Sequence, residues 1–358
     1  MTFPVVDILG VAVELRTPAR FTGTVARLLG DLACEREPDR ALVLADGRAA
    51  GEEGLELVED GAVVIDGVAE DVAVATLVWR LNAIATQVSS HLVLHAGAVA
   101  DEGGGVLLPG SSGAGKSWLT AACVEGGFAY LSDEHAAVDL ASGLLTPLAK
   151  PLDLGAQGLN AASDIRAGSV GVAVAPSAIV FPRYSRGTPT TWTPLAPAET
   201  LLALCAHCAN LSRLGETGFR WLAGLAATCP AGQVSYSDAP GAVDLLRSMR
   251  ADARSRQAQE GQRPPNRARP AAATASITSD TTTVMLDDEV VVLDHTTLAT
   301  HHLNRSAALV WLCARGAPDR ATLSKLVLAA APPNAIHAEE IDATIAHLGR
   351  VGLLSVAR

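Results

Sequence analysis

The chain has 358 residues, 49% of them hydrophobic and only 4% aromatic, so it can bury more than one core and must build them from Ala, Leu and Val. A formal net charge of −11 argues against non-specific nucleic-acid binding as its main task. The opening "MTFPVVDILG" has an acid and no basic segment, and no run of about 18 apolar residues occurs, so neither a secretory signal nor a membrane span is expected and the chain reads as cytoplasmic.

Residues 1–80 alternate apolar stretches with turns ("ALVLADG", "LELVEDG", "AVVIDG") and read as a mixed α/β region leading into a helix near 69–88. From 91, "HLVLHAGAVADEGGGVLLPG" predicts two strands around a turn at Asp101–Gly105. "KSWLTAACVEGG" predicts a helix ended by Gly126 and Gly127. "FAYLSDEHAAVDLASG" then reads as a strand, an acidic pair, a second strand and a turn. Cys205 and Cys208 form a lone C-x-x-C in an apolar helical stretch; with no second pair nearby they read as core residues, not metal ligands. Residues 250–279 carry six arginines with Gln, Pro, Ala and Ser and few large apolar side chains, a linker composition with solubilising charge. The boundaries that follow are an N-terminal region 1–80, a main domain 81–250, a flexible linker 251–278 and a small domain 279–358.

Gly110, Ser111, Ser112, Gly113, Ala114, Gly115, Lys116 and Ser117 fit G-x-x-x-x-G-K-S in full, between a predicted strand and a predicted helix. Glycines let backbone N–H groups converge on phosphate oxygens, and the helix adds its positive end. Lys116 would reach the β- and γ-phosphates and Ser117 would hold Mg²⁺. Asp133 and Glu134 follow just past the helix, on a strand expected to return beside the loop. One carboxylate can hold Mg²⁺ while the other takes a proton from an attacking hydroxyl. The fold expected is therefore an α/β P-loop core binding ATP and Mg²⁺.

"LHAGAV", "GSSGAGKS" and "GFAYLSDEHAAV" resemble the catalytic core of the HPr serine kinase/phosphorylase family, and especially its shorter relatives in peptide-natural-product clusters. The resemblance covers roughly 80–250, including "AIVFPRY" and "PLAPAETLLALCAHCANL". It implies that Asp133 is the catalytic base, that His95 sits by it, and that Glu134, where the HPr enzymes usually have Asp, assists Mg²⁺. The downstream signature that supports the reverse reaction in that family is not found, so kinase activity carries over better than phosphorylase activity. Lys150 and Arg183 are the nearby cations nominated for the phosphates.

"TVMLDDEVVVLDHTTLATHHLN" predicts three short strands turning at 287–288 and 295–297. Asn304 caps a helix stopped by Gly316, and helices in "RATLSKLVLAAA" and "AEEIDATIAHLGRVGLL" follow, giving a small α+β, winged-helix-like module. His301 and His302 are adjacent in a strand and point to opposite faces, which argues against metal. "VVVLD", "HHLNRSAALVWL" and "LGRVGLL" resemble the PqqD family of leader-peptide recognition modules, in which a peptide adds as a strand to the sheet edge. The combined expectation is a kinase that phosphorylates a Ser hydroxyl of a ribosomally made precursor peptide whose leader binds the C-terminal module. An ATP-gated peptide escort without transfer and a small-molecule kinase are the rivals, and the oligomeric state is left open.

Overall fold

The computed structural model describes residues 5–47, 54–155, 158–166, 168–260, 280–287, 289–315, 317, 319–332 and 336–354. These fall into two compact units. The first runs to Pro194 and also holds His207–Asn210 and the residues from Cys229 to Glu260; the second holds Leu195–Ala206, Leu211–Thr228 and the described residues from Asp280 on. No helix among the described residues is long and apolar enough to cross a membrane.

The first unit opens with a six-stranded sheet of β1 (Val5–Ile8), β2 (Val11–Arg16), β3 (Ala33–Cys34), β4 (Arg40–Asp46), β5 (Leu55–Glu59) and β6 (Ala62–Val68), in spatial order β3-β1-β2-β4-β5-β6. Alternation explains β5, where Leu55, Leu57 and Glu59 are buried and the residues between them less so. Asp60 and Gly61, at φ 48° and 86°, form the two-residue turn that suits a hairpin's twist and joins β5 to β6. Helices α1 (Ala19–Leu29) and α2 (Ala73–Val88) pack Leu29, Leu77 and Leu81 into the core. The boundary read at 80 falls inside α2. The same core continues through Val93, Ala121 and Tyr130, so residues 1–80 share one interior with the chain that follows.

The second sheet is built on β7 (Leu92–Asp101), β8 (Gly104–Pro109), β9 (Ala129–Ser132), β10 (His135–Val138) and β11 (Leu145–Thr146). A separate small pair, β12 (Leu152–Asp153) and β13 (Leu159–Asn160), comes next, and β14 (Pro176–Tyr184), β15 (Thr191–Pro194) and β16 (Ala231–Tyr236) complete the large sheet. Its order is β11-β10-β7-β8-β14-β16-β15, with β9 also on β7; β8, β14 and β16 run parallel. Helix α3 (Lys116–Glu125) follows β8, and α4 (Ala162–Ile165) is a single turn. The sequence reading returns the acidic strand beside the loop, and Asp133 does meet Ser117 there. In the structure β7, hairpin partner of β8, lies between β8 and β9.

The second unit contains α5 (Pro197–Ala206), α6 (Leu211–Thr228) and the antiparallel sheet β17 (Thr281–Leu286), β18 (Glu289–Asp294) and β19 (Thr300–Leu303). Before that sheet, α7 (Ala239–Glu260) extends the first unit ten residues into the segment read as linker, because Ala, Arg, Gln and Glu are strong helix formers; residues 261–278 of that linker lie outside the described residues. Arg250, read as a solubilising arginine, is buried: it pairs with Asp101 and donates to Ser177 Oγ and Gly104 O, fixing the β7–β8 turn. Beyond the sheet come α8 (Arg305–Ala314), α9 (Arg320–Ala330) and α10 (Ala338–Arg350). Asn304 caps α8 by accepting from Ala307 N at 2.9 Å, as its position before the apolar run predicts; Gly316 lies outside the described residues.

Candidate functional site

Register brings the site together. Ala96 on β7 pairs with Pro109 on β8, so His95 and Gly110 meet where the hairpin opens. The loop from Gly110 then turns into α3. Gly113 and Gly115 stand at φ 80° and 93°, a region in which side-chain-bearing residues are strained. Gly115 has a second reason: a Cβ there would overlap the Tyr236 hydroxyl and crowd Tyr184. The loop is held from outside, since Tyr236 Oη donates to Gly115 O at 3.0 Å and Tyr184 N donates to Ala114 O at 3.1 Å.

Lys116, the first residue of α3, is buried to 7% exposure. Its Nζ donates to Ser111 O at 2.9 Å and lies 3.1 Å from His95 Nε2. An ammonium has only protons to give, so His95 Nε2 accepts and its proton sits on Nδ1. Burial, reinforced by Lys116, holds His95 below the usual histidine range. Burial also lowers Lys116. The ring contact of His95 thus runs to the loop lysine, while His95 and Asp133 line the same cavity.

Asp133 and Glu134 sit in the break between β9 and β10. Both strands pair with β7 there, with an irregular step at His135, and Ala96 N donates to Glu134 O. Asp133 is 2% exposed. Its Oδ2 accepts from Ser117 Oγ at 3.1 Å and its Oδ1 from Lys150 Nζ at 2.9 Å. The Tyr130 hydroxyl has one proton for two neighbours, Lys150 O at 2.8 Å and Asp133 Oδ1 at 3.2 Å. Glu134 accepts from Asn82 Nδ2 at 2.9 Å and pairs with Lys150 at 3.1 Å. Burial pushes Glu134 up, but Lys150 and the neighbouring histidines outweigh it and bring it down. His135, next to it, is driven down to about 4, chiefly by burial.

Lys116, Ser117, Asp133, Glu134 and His95 all line one cavity of about 740 Å³, with Ser112, Gly113 and Gly115 on the loop side and the exposed Trp118 and Tyr184 beside them. A cation at a helix N-terminus faces two carboxylates across this space, an arrangement suited to an anion accompanied by a hard cation. Ser117 and the acid pair offer oxygen donors for such a cation. Among the described residues no cluster of three or more His, Cys, Asp or Glu forms a cage of its own. Lys150 is turned onto the acids, and Arg183 is exposed on β14. Sequence reasoning passed over Asn82, Tyr130 and Tyr236. Only Tyr130 had a signal, three residues before the acid it serves.

No protein-family model matches the chain, and no curated protein does. Among solved structures, the chain is similar to the Hpr(Ser) kinase/phosphatase from Coxiella burnetii at 12% identity, over 47% of this chain and 99% of that one, with a TM-score of 0.25.

Proposed function

We propose that this chain is an α/β P-loop kinase that moves the γ-phosphoryl group of ATP to a Ser hydroxyl of a ribosomally made precursor peptide. The observation that carries the reading is the convergence of Lys116, Ser117 and Asp133 on one cavity at the start of α3. The loop N–H groups and Lys116 would hold the triphosphate. Ser117, with Asp133 and Glu134 behind it, has the oxygen chemistry that fits Mg²⁺, which when bound neutralises charge on the β- and γ-phosphates. His95, neutral and accepting from Lys116, keeps that ammonium aimed at the loop.

In the transfer, the substrate oxygen bonds to the γ-phosphorus as the bond to the β,γ-bridging oxygen breaks and ADP leaves. Asp133 would take the hydroxyl proton through Oδ2, the oxygen that lies beside Ser117 Oγ, while Ser117 and Glu134 would hold the metal. The pairing of Asp133 with Lys150 fixes Oδ1, and in a loose phosphoryl-transfer transition state such positioning is the larger part of what the protein supplies.

The peptide half of the reading rests on the small sheet, in which β17 and β19 each pair only with β18 among the described residues. An extended leader can add to such an edge and gain backbone hydrogen bonds. The experiment is incubation of the full chain with ATP, Mg²⁺ and a precursor peptide, followed by mass spectrometry, with Asp133→Asn in parallel. We expect phosphopeptide from the wild type, and about 10²–10⁴-fold less from the variant with nucleotide binding retained. Nucleotide binding and peptide binding without phosphopeptide would instead favour the escort. Transfer to a free metabolite alone would favour a small-molecule kinase.

A further inference from the structure

Lys150 is 4% exposed and wholly engaged. Its ammonium carries three protons, and three acceptors surround it: Asp133 Oδ1 at 2.9 Å, Glu134 Oε2 at 3.1 Å and Pro151 O at 3.4 Å. The residue is also anchored through its backbone, with its carbonyl beside the Tyr130 hydroxyl and its N–H donating to Leu148 O. No proton remains for a phosphate. A fixed positive charge therefore sits between two carboxylates, on the position a cation bridging them would occupy.

We propose that Lys150 is a positioning residue that takes the place of a resident metal between Asp133 and Glu134, so that the site takes up a single divalent ion and only together with the triphosphate. This rests on the kinase reading for the triphosphate alone. Two carboxylates and one ammonium leave one net negative charge, and the oxygens facing each other, Oδ1 and Oε2, both belong to Lys150. What stays open is Asp133 Oδ2, beside Ser117 Oγ, and the second oxygen of Glu134, Oε1, since the contacts of Glu134 fall on Oε2. One oxygen from each carboxylate and one hydroxyl make an incomplete site for Mg²⁺, which gives up water reluctantly and relies on phosphate oxygens to complete its shell. Lys150 also fixes which way Asp133 points. With Oδ1 tied back, Oδ2 is turned to Ser117 and the cavity.

The test is Mn²⁺ binding followed by electron paramagnetic resonance, with and without a non-hydrolysable ATP analogue. It uses the full-length wild type and Lys150→Met, which keeps the length of the side chain and removes its charge. The wild type should bind Mn²⁺ weakly alone and hold one ion per chain with the analogue. Lys150→Met should bind Mn²⁺ at least tenfold more tightly without nucleotide, hold two ions with it, and gain thermal stability from Mn²⁺ alone. Two ions on the wild type, or equal nucleotide-free affinity in both proteins, would overturn the proposal. If the variant does not fold even with Mn²⁺, the wild-type stoichiometry decides. Analogue affinity by calorimetry separates the two ideas: a wild type that binds no nucleotide refutes the kinase reading, while the nucleotide-free comparison still tests Lys150.

Discussion

Lys116 owes its place to neighbours that the loop pattern does not contain, His95 Nε2 and Ser111 O. Removing it as Lys116→Ala takes away the loop's charge and leaves the loop shape to its glycines. We expect nucleotide affinity measured by calorimetry with Mg²⁺ to fall at least 100-fold while the melting temperature changes little; unchanged affinity would remove the phosphate-loop assignment. A second residue-scale effect comes from His135. Its pKa in the fold, about 4, lies below the ordinary value near 6.5. As pH falls the unfolded chain takes the proton first, so stability is lost between about pH 6.5 and about pH 4, at about 1.4 kcal/mol per unit. His91, His95 and His207 are lowered as well, each chiefly by burial, and act in the same direction. Urea denaturation at pH 7 and pH 5 should show the loss, and His135→Gln should shrink it; an unchanged slope in the variant would assign it elsewhere. The loop and the acid pair were legible in the sequence because they are short-range spacings. The task of Lys150 was not. Its distance from the acids is a property of the folded chain, and from the sequence it stood among candidates for phosphate.

At the scale of elements, periodicity and turn residues located most strands and helices, the three short C-terminal strands among them. What escaped was partnership. Nothing in "QVSYSD" announces that Tyr236, at the end of β16, packs over the start of α3 and donates to Gly115 O. This contact makes a two-residue prediction. Gly115→Ala pays the left-handed backbone cost of about 1–2 kcal/mol and the overlap with the Tyr236 hydroxyl, roughly 1–3 kcal/mol more. Tyr236→Phe alone loses one hydrogen bond, about 1 kcal/mol. Because the overlap needs the hydroxyl, the double variant should be less destabilised than the sum of the singles, by about 1 kcal/mol or more in a denaturant cycle. Simple additivity would mean that the two elements are not coupled through this contact. Helix α7 teaches the complementary lesson. A segment poor in large apolar residues read as linker, yet its helix formers continue a helix already anchored by Ala242, Val243 and Leu246.

For the whole molecule, the sequence draws a tethered, separable module after residue 278, and the second compact unit is larger than that. The central strand of its sheet, β18, is buried on both faces. Val290 and Val292 join Trp311 and the core of α8–α10, while Val291 and Leu293, pointing the other way along β18, are equally buried. Helix α6 lies along β17, and α5 lies along β18 and β19. These two helices, at 197–206 and 211–228, were read as part of the main domain, yet they complete the small one. Cutting the chain after 279 would strip the sheet from α5 and α6 and open their apolar sides to water. We therefore expect the truncated chain to melt lower by on the order of 5 °C or more and to aggregate. The role of the module is better tested on the intact chain, with an isolated leader peptide added as competitor. If the leader serves to tether, its binding energy is equal in ground and transition states, so competition should raise KM for the full precursor several-fold and leave kcat unchanged. A leaderless peptide should be phosphorylated poorly whether or not the competitor is present. A competitor that lowers kcat would show that the leader acts on the chemical step as well, and one that changes neither constant would separate the small sheet from substrate recruitment.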